Sequence, residues 1–488
     1  MMEPTSVLVC VFVIVIIAVI MRRPAKYPPG PLPLPLVGNS LHVSYLHKSP
    51  NIAFHQLSSR YGKILGLWMG RMPFVIINDL DVLKEVYGKD EFSVRPDWFP
   101  LLQRSFMQKI GLLMADEAFW SEQRRFAMRH MKDFGFGKAS MENVVLEEVD
   151  DLIQAVRKTP GGLVKIDTIF NLPVINILWR IVTGRRYKID DPEVLQIIRS
   201  INDFAVSSAQ NSVLIPFPWL RHIVPKWSGF EALRDTRDKM HQLLKEIIDD
   251  HKATIDHEHP RDFVDVFLTE MNEPDAKKKN FDELQLVMVC MDLFMAGNET
   301  TSTTLQWEVL LMMLYPEVQE KLHQELDQVL GHSRPPALAD RKHLHYTMAV
   351  MYEVQRWVTV VPTALHATTK PMRVAEYEVP QGAVIIGNMY AIHHDKDYWG
   401  DPQNFRPERF LDTSGQLKKE DHLVPFSVGK RRCLGETLAW AQGFLFFANL
   451  IYYFRFSIPP GHSKPSVDPE YGMATAPHPF HTLATPRF

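Results

Sequence analysis

One stretch of the chain restricts its fold more than any other. Residues 281–315, "FDELQLVMVCMDLFMAGNETTSTTLQWEVLLMMLY", carry apolar side chains at three- and four-residue spacing, and Pro316 follows them directly. That spacing is typical of a helix, and the proline marks its end. At about 1.5 Å per residue the helix would be roughly 50 Å long. The segment therefore predicts one long helix, with most of its surface available for packing.

The middle of this helix contains residues that weaken it. Gly297 costs about 1 kcal/mol relative to alanine in a helix interior, and a run of hydroxyl side chains, Thr300 to Thr304, follows it. Threonine and serine hydroxyls can bond to a carbonyl one turn earlier and open a groove. We expect Gly297 to let a flat ligand or a small molecule approach the backbone. The alternative is a glycine that lets another helix cross closely.

The remaining sequence predicts a mainly α protein with small β-sheets. Helical periodicity dominates, for example over residues 141–156 and 230–251, while strand-like runs occur near residues 75 and 385. The composition, 46% apolar and 23% charged residues, is that of a well-packed globular protein. No second linker or repeat interrupts the chain after residue 45, so one large domain is the simplest interpretation.

Net charge and cysteine usage limit the partners and the compartment. A net charge of -3 gives no global attraction to nucleic acid, so we expect no nucleic-acid partner. The cysteines at positions 10, 290 and 433 are too few and too distant to form a disulfide framework. We therefore expect the bulk of the chain to face a reducing compartment, with Cys10 and Cys290 chemically inert.

The N-terminus predicts a membrane anchor. Residues 7–21 are uninterrupted apolar, and Arg22, Arg23 and Lys26 follow them. Because the positive side is the C-terminal side, the domain should be cytoplasmic; a cleaved signal peptide is the competing interpretation. Prolines then favour an extended spacer. We expect an anchor over residues 1–22, a basic and Pro-rich linker over 23–44, and one large domain over 45–488.

The most informative cysteine lies in "FSVGKRRCLGE", residues 426–436. Gly429 and Gly435 flank Cys433 and suggest a tight turn that lets a ligand approach. The basic residues Lys430 to Arg432 would favour the thiolate over the thiol. A thiolate is a nucleophile or a metal ligand, whereas the alternative is a buried structural thiol that packs as a small hydrophobe.

A second constellation consists of charges in an apolar segment. Glu353 and Arg356 are three residues apart and would share one face of a helix, and Arg409 lies in the loop "NFRPERF". A surface ion pair is the common explanation of such spacing. Burial would instead require that the charges be paired and fully hydrogen-bonded.

In this order along nearly the whole chain, the motifs resemble those of the cytochrome P-450 family, which are haem-thiolate monooxygenases. The cysteine loop matches the family at Phe426, Gly429, Arg431, Cys433 and Gly435, and the oxygen-activating helix matches at Ala296, Gly297, Glu299 and Thr300. Glu353, Arg356 and Arg409 match the structural ion-pair triad of that family.

The resemblance implies a set of site residues. Cys433 would be the axial ligand of the iron of haem b, where a thiolate favours O–O cleavage. Propionate contacts are implied for Arg431, Trp120, Arg124, Arg95 and His366. The spacing from Pro362 to His366 is one residue shorter than in mammalian relatives, which leaves the contact of His366 open. Glu299 would relay protons during oxygen activation, with Thr300 as its hydrogen-bond partner.

The resemblance also implies partners and a location. Electrons would come from NADPH through a separate reductase, with cytochrome b5 as a further donor, because no flavin- or nicotinamide-binding segment is present. The outward basic residues expected to bind an acidic reductase are Arg125, Arg129, Lys132, Lys430 and Arg432. The enzyme would lie on the cytoplasmic face of the endoplasmic reticulum membrane.

The expected substrate is a hydrophobic small molecule that is oxidised by O2. The residues predicted to line its pocket are mostly apolar: Phe99, Leu101, Phe106, Phe294, Val361, Thr363 and Met473. Several stretches are insect-like and similar to the group that includes methyl farnesoate epoxidases, which favours a sesquiterpenoid; the alternatives are an ecdysteroid or xenobiotic hydroxylase. Two other classes are a haem-thiolate isomerase or dehydratase that needs no reductase, and a haem-carrying binding protein without turnover.

Overall fold

The computed structural model describes residues 23–138, 140–188, 191, 198, 211–215 and 217–488. The membrane anchor predicted for residues 1–22 lies outside these ranges. Within them, no helix combines the length and the apolar character that a membrane crossing requires.

Helices make up most of the described chain, which confirms the predicted mainly α class. Their bounds are α1 Ser40–Leu46, α2 Pro50–Tyr61, α3 Leu80–Gly88, α4 Phe99–Gln103, α5 Glu117–Asp133, α6 Ser140–Lys158, α7 Asn171–Thr183, α8 Leu220–Ile223, α9 Phe230–Thr254, α10 Phe263–Glu270, α11 Glu283–Leu314, α12 Pro316–Leu330, α13 His345–Val358, α14 Met389–His393, α15 Lys396–Trp399 and α16 Glu436–Tyr453. Short 3-10 turns include Asp90–Phe92 and Pro407–Phe410.

The strands form small sheets, as predicted. They are β1 Ile64–Met69, β2 Met72–Ile77, β3 Leu163–Ile166, β4 Thr363–Ala367, β5 Met372–Val374, β6 Tyr377–Val379, β7 Val384–Asn388, β8 Phe454–Ser457, β9 Pro469–Tyr471, β10 Thr475–Pro477 and β11 Phe480–Pro486. The largest sheet has the order β1-β2-β7-β4. Strands β2 and β7 are parallel, whereas β1 pairs with β2 and β4 pairs with β7 in antiparallel fashion.

The long predicted helix is present as α11. The side chain of Asp282 caps its start by accepting a hydrogen bond from the N–H of Gln285 at 2.8 Å, and the next helix begins at Pro316. Most side chains of α11 are buried, because it packs against α7, α13 and α16 in the core. Cys290 on this helix is 1% exposed. Burial raises the pKa of its thiol, which agrees with the predicted inertness.

The Pro-rich segment is part of the folded domain. The hydroxyl of Tyr27, a buried residue, donates a hydrogen bond to the carbonyl of Phe74 at 2.8 Å. The N–H of Gly66 in β1 donates to the carbonyl of Pro29 at 2.7 Å, and helix α1 begins at Ser40. The boundary expected at residue 45 therefore does not coincide with the start of packing. The stiffness of the prolines predicted a spacer. In the structure, the carbonyl group of Pro29 instead accepts a hydrogen bond from β1.

Candidate active site

The cysteine loop is closed by its own backbone hydrogen bonds. The N–H of Cys433 donates to the carbonyl of Phe426 at 3.0 Å, and that of Arg432 donates to the carbonyl of Gly429 at 3.2 Å. The N–H of Gly435 bonds to the sulfur of Cys433 and lowers its pKa. Helix α16 starts directly after the loop. The sulfur is therefore held at a fixed position by the main chain.

The two glycines of the loop have different roles. Gly429 has a φ of 78°, and a Cβ atom there would clash with the carbonyl oxygen of Tyr87 and lie 2.7 Å from its Cβ. Gly429 thus meets both conditions that favour glycine, the left-handed backbone and the close approach. Gly435 has a φ of -88°, and a Cβ atom there would meet only the sulfur of Cys433, at 4.0 Å. Other residue types can adopt this backbone conformation, so the tight turn that we predicted at Gly435 does not need a glycine.

The basic neighbours do not make Cys433 a thiolate by themselves. Burial is the largest influence and raises the pKa of the thiol, and Glu436 raises it further, against smaller lowering effects of Arg124 and Arg432. The expectation from the sequence was wrong on this point, because it weighed charge and not desolvation. A metal ion bound to the sulfur would remove the proton outright. The site therefore favours a metal ligand over a free nucleophile.

One residue of the cysteine loop and one of α11 have exposed surface in otherwise buried surroundings. Cys433 has an exposed side chain, although desolvation is the largest influence on the pKa of its thiol, so the sulfur is accessible but largely surrounded by protein. Ala296 is likewise exposed in the middle of α11, a helix with otherwise mostly buried side chains. The hydroxyl of Thr300 donates to the carbonyl of Ala296 at 2.8 Å, which is the predicted bond to the preceding turn.

Gly297 serves a helix crossing. A Cβ atom on Gly297 would clash with Cδ1 of Leu178 in α7 and lie 3.4 Å from its Cγ. The glycine therefore lets α7 and α11 approach each other, the alternative that the sequence left open. Its neighbour Ala296 has the exposed surface. A contact between Gly297 and a ligand stays a prediction.

Glu299 has a carboxyl group that titrates near neutral pH. Burial raises its pKa from 4.5 to about 7, while the N–H of Ala474, which donates to Oε1 at 3.4 Å, lowers it slightly. A carboxyl group with such a pKa can both hold and release a proton at physiological pH. Thr300 is the next residue on α11, but its hydroxyl bonds to Ala296 and the Glu299 carboxyl contacts Ala474, so a hydrogen bond between the two side chains stays a prediction.

Guanidinium groups converge beside Trp120 on α5. The guanidinium carbons of Arg431 and Arg124 lie 4.0 and 5.4 Å from the centre of the Trp120 ring. Arg431 also donates from Nε to the carbonyl of Ser93 at 2.8 Å. Arg95 donates from Nε to the carbonyl of Leu113 at 3.1 Å and also bonds to the carbonyl of Leu365. We call Arg95, Trp120, Arg124 and Arg431 the cationic cradle.

The electrostatics of the cradle favour an anionic ligand. Burial, with a smaller contribution from the charge of Arg124, lowers the pKa of Arg95 to about 10 against a raising effect of Tyr87. In the described part of the chain, neither arginine forms an ion pair with a carboxylate. Buried like charges are costly unless opposite charges neutralise them. Carboxylate groups of a ligand would do so through charge-assisted hydrogen bonds.

His366 adjoins the cradle and is held rigidly. Its Nδ1 lies 2.6 Å from the carbonyl oxygen of Phe92, and its ring stacks on that of Tyr87 with centres 3.7 Å apart. Burial, followed by the charges of Arg95 and Arg431, lowers the pKa of His366 well below its usual value. The imidazole is therefore neutral. A contact with a propionate stays a prediction.

The predicted charged triad is present and fully buried. Arg356 donates to both carboxylate oxygens of Glu353, at 2.7 and 2.8 Å, and Nε of Arg409 lies 3.0 Å from the same carboxylate. The pairing that burial demands is therefore satisfied. The triad joins α13 to the turn Pro407–Phe410.

Sequence reasoning missed a buried ion pair and misplaced one pocket residue. Asp292 on α11 contacts the fully buried Arg104 and accepts the N–H groups of Leu112 and Leu113 at 2.7 and 2.8 Å. An aspartate in the apolar part of α11 was the available signal. Phe294, predicted to line the substrate pocket, is fully buried and stacks on Trp179 at 4.1 Å.

The residues present fit haem b. The accessible sulfur of Cys433 offers one metal ligand, and the cationic cradle supplies neutralising charges for two carboxylates. Ala296 offers a small, exposed surface on the long helix. An iron ion in a flat macrocycle with two propionates has complementary chemistry.

Comparisons with known proteins agree with this geometry. Residues 28–484 match the family model described as Cytochrome P450. The chain is 35% identical over 471 residues to farnesoate epoxidase of Bombyx mori, covering 96% of this chain and 95% of that protein. It is 37% identical to cytochrome P450 2J3 of Rattus norvegicus, over 96% and 92% of the two chains. Cytochrome P450 2D6 of Homo sapiens is 35% identical, with 99% of each chain covered.

Proposed function

The chain belongs to the cytochrome P450 family of haem-dependent monooxygenases, and on this premise we propose that it epoxidises a sesquiterpenoid such as methyl farnesoate. The cofactor of the family is haem b, and electrons reach it from NADPH through a reductase. The observation that carries the substrate proposal is the similarity to farnesoate epoxidase over 96% of this chain. The mostly apolar residues predicted to line the pocket are consistent with a hydrophobic substrate.

The residues of the site have separate tasks in this reaction. When bound, haem supplies the redox chemistry that activates O2 with two electrons. Cys433 would bind the iron through its sulfur, and the cationic cradle would hold the propionates. Thr300 offers a hydroxyl beside the exposed Ala296, and its bond to the Ala296 carbonyl fixes its orientation. Glu299 holds a proton on its carboxyl group below pH about 7 and can deliver it there.

The titrating carboxyl group supports a monooxygenase over a haem-thiolate isomerase or dehydratase. Reduction of O2 consumes protons, whereas the rearrangement of a peroxide needs none from the protein. Glu299 has a pKa of about 7, which suits repeated protonation at cytosolic pH. The same argument disfavours a binding protein without turnover, which would need no proton donor.

A reconstituted assay would test the proposal. The protein is mixed with NADPH, P-450 reductase and methyl farnesoate, farnesoate, an ecdysteroid or a xenobiotic, and the products and O2 consumption are measured. We expect epoxide from a farnesoid substrate, with one O2 consumed per epoxide. Epoxide formation only from other substrate classes would disprove the sesquiterpenoid proposal. Cys433→Ser should abolish turnover and the red-shifted Soret band of the reduced carbon monoxide complex.

We further propose attachment to the endoplasmic reticulum membrane, with the domain on the cytoplasmic face. The apolar run at residues 7–21 supports an anchor. A second feature is an exposed apolar patch around α8, where Trp219, Ile223 and Trp227 are 53%, 68% and 73% exposed. Such a patch, next to the basic residues Arg221 and Lys226, has the composition of a surface that lies in a membrane interface.

Electron delivery is proposed to use the basic face of α5. Arg125, Arg129 and Lys132 are exposed, share one helix face, and form no ion pair with any residue that the structure describes. Two other predicted docking residues are already engaged, since Lys430 pairs with Asp90 and Arg432 with Glu436. The α5 face therefore offers the free positive charge that an acidic reductase would need.

A further inference from the structure

We propose that Tyr87 is a positioning residue that couples the cysteine loop to the cationic cradle. Tyr87 lies in the last turn of α3 and is 1% exposed. Its main chain contacts the loop of Cys433, and its side chain contacts His366 and two strands of the largest sheet. The proposal rests on the haem-thiolate function argued above and assigns a role to a residue outside its machinery.

The hydroxyl group of Tyr87 fixes the ring against the sheet. It donates to the carbonyl of Ala364 in β4 at 2.7 Å and accepts the N–H of Gly387 in β7 at 2.8 Å. Gly387 leaves room for it, because a Cβ atom there would lie 3.1 Å from the hydroxyl oxygen. A buried hydroxyl with both roles satisfied has one orientation. The plane of the Tyr87 ring is therefore set by β4 and β7.

The ring in turn holds His366. The two rings are nearly parallel, with an interplanar angle of 4° and centres 3.7 Å apart. With Nδ1 of His366 bonded to the carbonyl of Phe92 at 2.6 Å, the imidazole cannot rotate without breaking one of these contacts. Its neighbours include Arg95 and Arg431. Through His366, Tyr87 fixes a neutral ring within the electrostatic range of these two arginines.

The main chain of Tyr87 supports the cysteine loop. Its carbonyl oxygen accepts the N–H of Lys430 at 3.1 Å, three residues before Cys433. Gly429 packs on the same carbonyl group so closely that no side chain fits between them. A shift of Tyr87 would therefore move the loop that carries the sulfur.

These contacts make Tyr87 the shared support of the metal ligand and of the cradle for the propionates. Support of this kind orients metal ligands and tunes the metal. A displaced Tyr87 would change the position of the sulfur relative to the cradle. The expected consequence is a haem that is held less tightly and has a different redox potential, beyond any general loss of stability.

The test compares three variants of the full-length holoenzyme. Tyr87→Leu removes the ring stack and the hydroxyl contacts, whereas Tyr87→Phe removes only the hydroxyl contacts, and both variants keep the main-chain carbonyl group that Lys430 contacts. Tyr452→Leu is the matched control, because Tyr452 is equally buried, at 2% exposed, but packs on Tyr453 and Phe488 at the far end of α16. Haem release to an excess of a haem-scavenging globin, the haem midpoint potential and the carbon monoxide spectrum are measured below the unfolding temperature of each variant.

We expect Tyr87→Leu to release haem about tenfold faster, a typical effect of replacing residues that support metal ligands. Its midpoint potential should shift, and part of its carbon monoxide complex should absorb at the shorter wavelength of a lost thiolate. Tyr87→Phe should restore most of these signals, and Tyr452→Leu should lower thermal stability alone. Equal signals in Tyr87→Leu and the parent, or equal shifts in Tyr452→Leu, would overturn the proposal. Absence of the thiolate spectrum in the parent would instead overturn the haem-thiolate function.

Discussion

The guanidinium group of Arg356 donates hydrogen bonds to both carboxylate oxygens of Glu353, at 2.7 and 2.8 Å, in a site where neither side chain has exposed surface. Arg356 also donates to the carbonyl groups of His393 and Pro402, both at 2.9 Å. The ion pair thus joins α13 to two later segments of the chain.

Replacement of Glu353 by alanine should destabilise the protein by about 3–5 kcal/mol, because it leaves the charge of Arg356 buried and unpaired. Chemical unfolding followed by tryptophan fluorescence would measure the change. Glu378→Ala is the control, since it breaks the exposed pair with Lys26 and should cost at most about 1 kcal/mol. A loss of similar size in both variants would contradict the interpretation.

Turnover should fall as the pH rises through about 7, because Glu299 loses the proton that it delivers. Glu299→Gln should be slower throughout and should lose this pH dependence. The rate of substrate oxidation per haem, measured between about pH 6 and about pH 8.5, tests the prediction. An unchanged slope in the variant would assign the proton to another group.

The free energy of unfolding should also depend on pH because of Glu299, and it should fall as the pH rises. The pKa of Glu299 is about 7 in the folded protein and 4.5 ordinarily, so the folded state binds the proton more tightly. Stability is then unaffected below pH about 4.5, falls by about 3 kcal/mol as the pH rises to 7, and stays at the lower level above it. Glu299→Gln should remove this part of the pH dependence of unfolding.

Gly429→Ala should abolish haem incorporation, whereas Gly435→Ala should be tolerated. The first substitution adds a Cβ atom against the carbonyl group of Tyr87 at a φ of 78°, while the second adds one in open space 4.0 Å from the sulfur of Cys433. The ratio of the Soret band to the protein band after purification measures the difference. Equal haem content in the two variants would show that the loop can move away from α3.

Removal of residues 1–22 should release much of the protein from membranes and leave the carbon monoxide spectrum intact. Removal of residues 1–30 should lower the yield of folded protein, because it deletes Tyr27 and the carbonyl group of Pro29, which bond to the sheet. Flotation with microsomes and thermal unfolding would compare the two. Equal stability of both truncated proteins would restore the interpretation of this segment as a spacer.

Reversal of the charges on the exposed face of α5 should weaken the binding of the reductase. The double variant Arg125→Glu, Arg129→Glu should need a higher reductase concentration for half-maximal turnover, and the effect should shrink with added salt. Haem content and peroxide-driven turnover should stay near normal. Arg71→Glu with Lys370→Glu, two exposed residues outside α5, is the matched control. Equal losses in reductase-driven and peroxide-driven turnover would mean that α5 charges support the haem fold.

The sequence alone determined the elements whose signals are local. Apolar spacing and Pro316 predicted α11 almost to its ends, and the order of the cysteine loop, the long helix and the charged triad indicated the family. Such features depend only on residues that are close together in the sequence, so they can be predicted without knowledge of the tertiary structure. The hydroxyl of Thr300 also bonds to the preceding turn as its residue type predicted.

The tertiary structure decided whatever depends on contacts between distant segments. Gly297 proved to be a crossing point because Leu178, far away in sequence, fills the space beside it. The Pro-rich segment proved to belong to the domain because β1 pairs with it, and the pKa of Cys433 rose because desolvation outweighs the charges beside it in sequence. Tyr87 had no signal at all in the sequence. Its role arises only because folding brings the cysteine loop, His366 and β7 to one side chain.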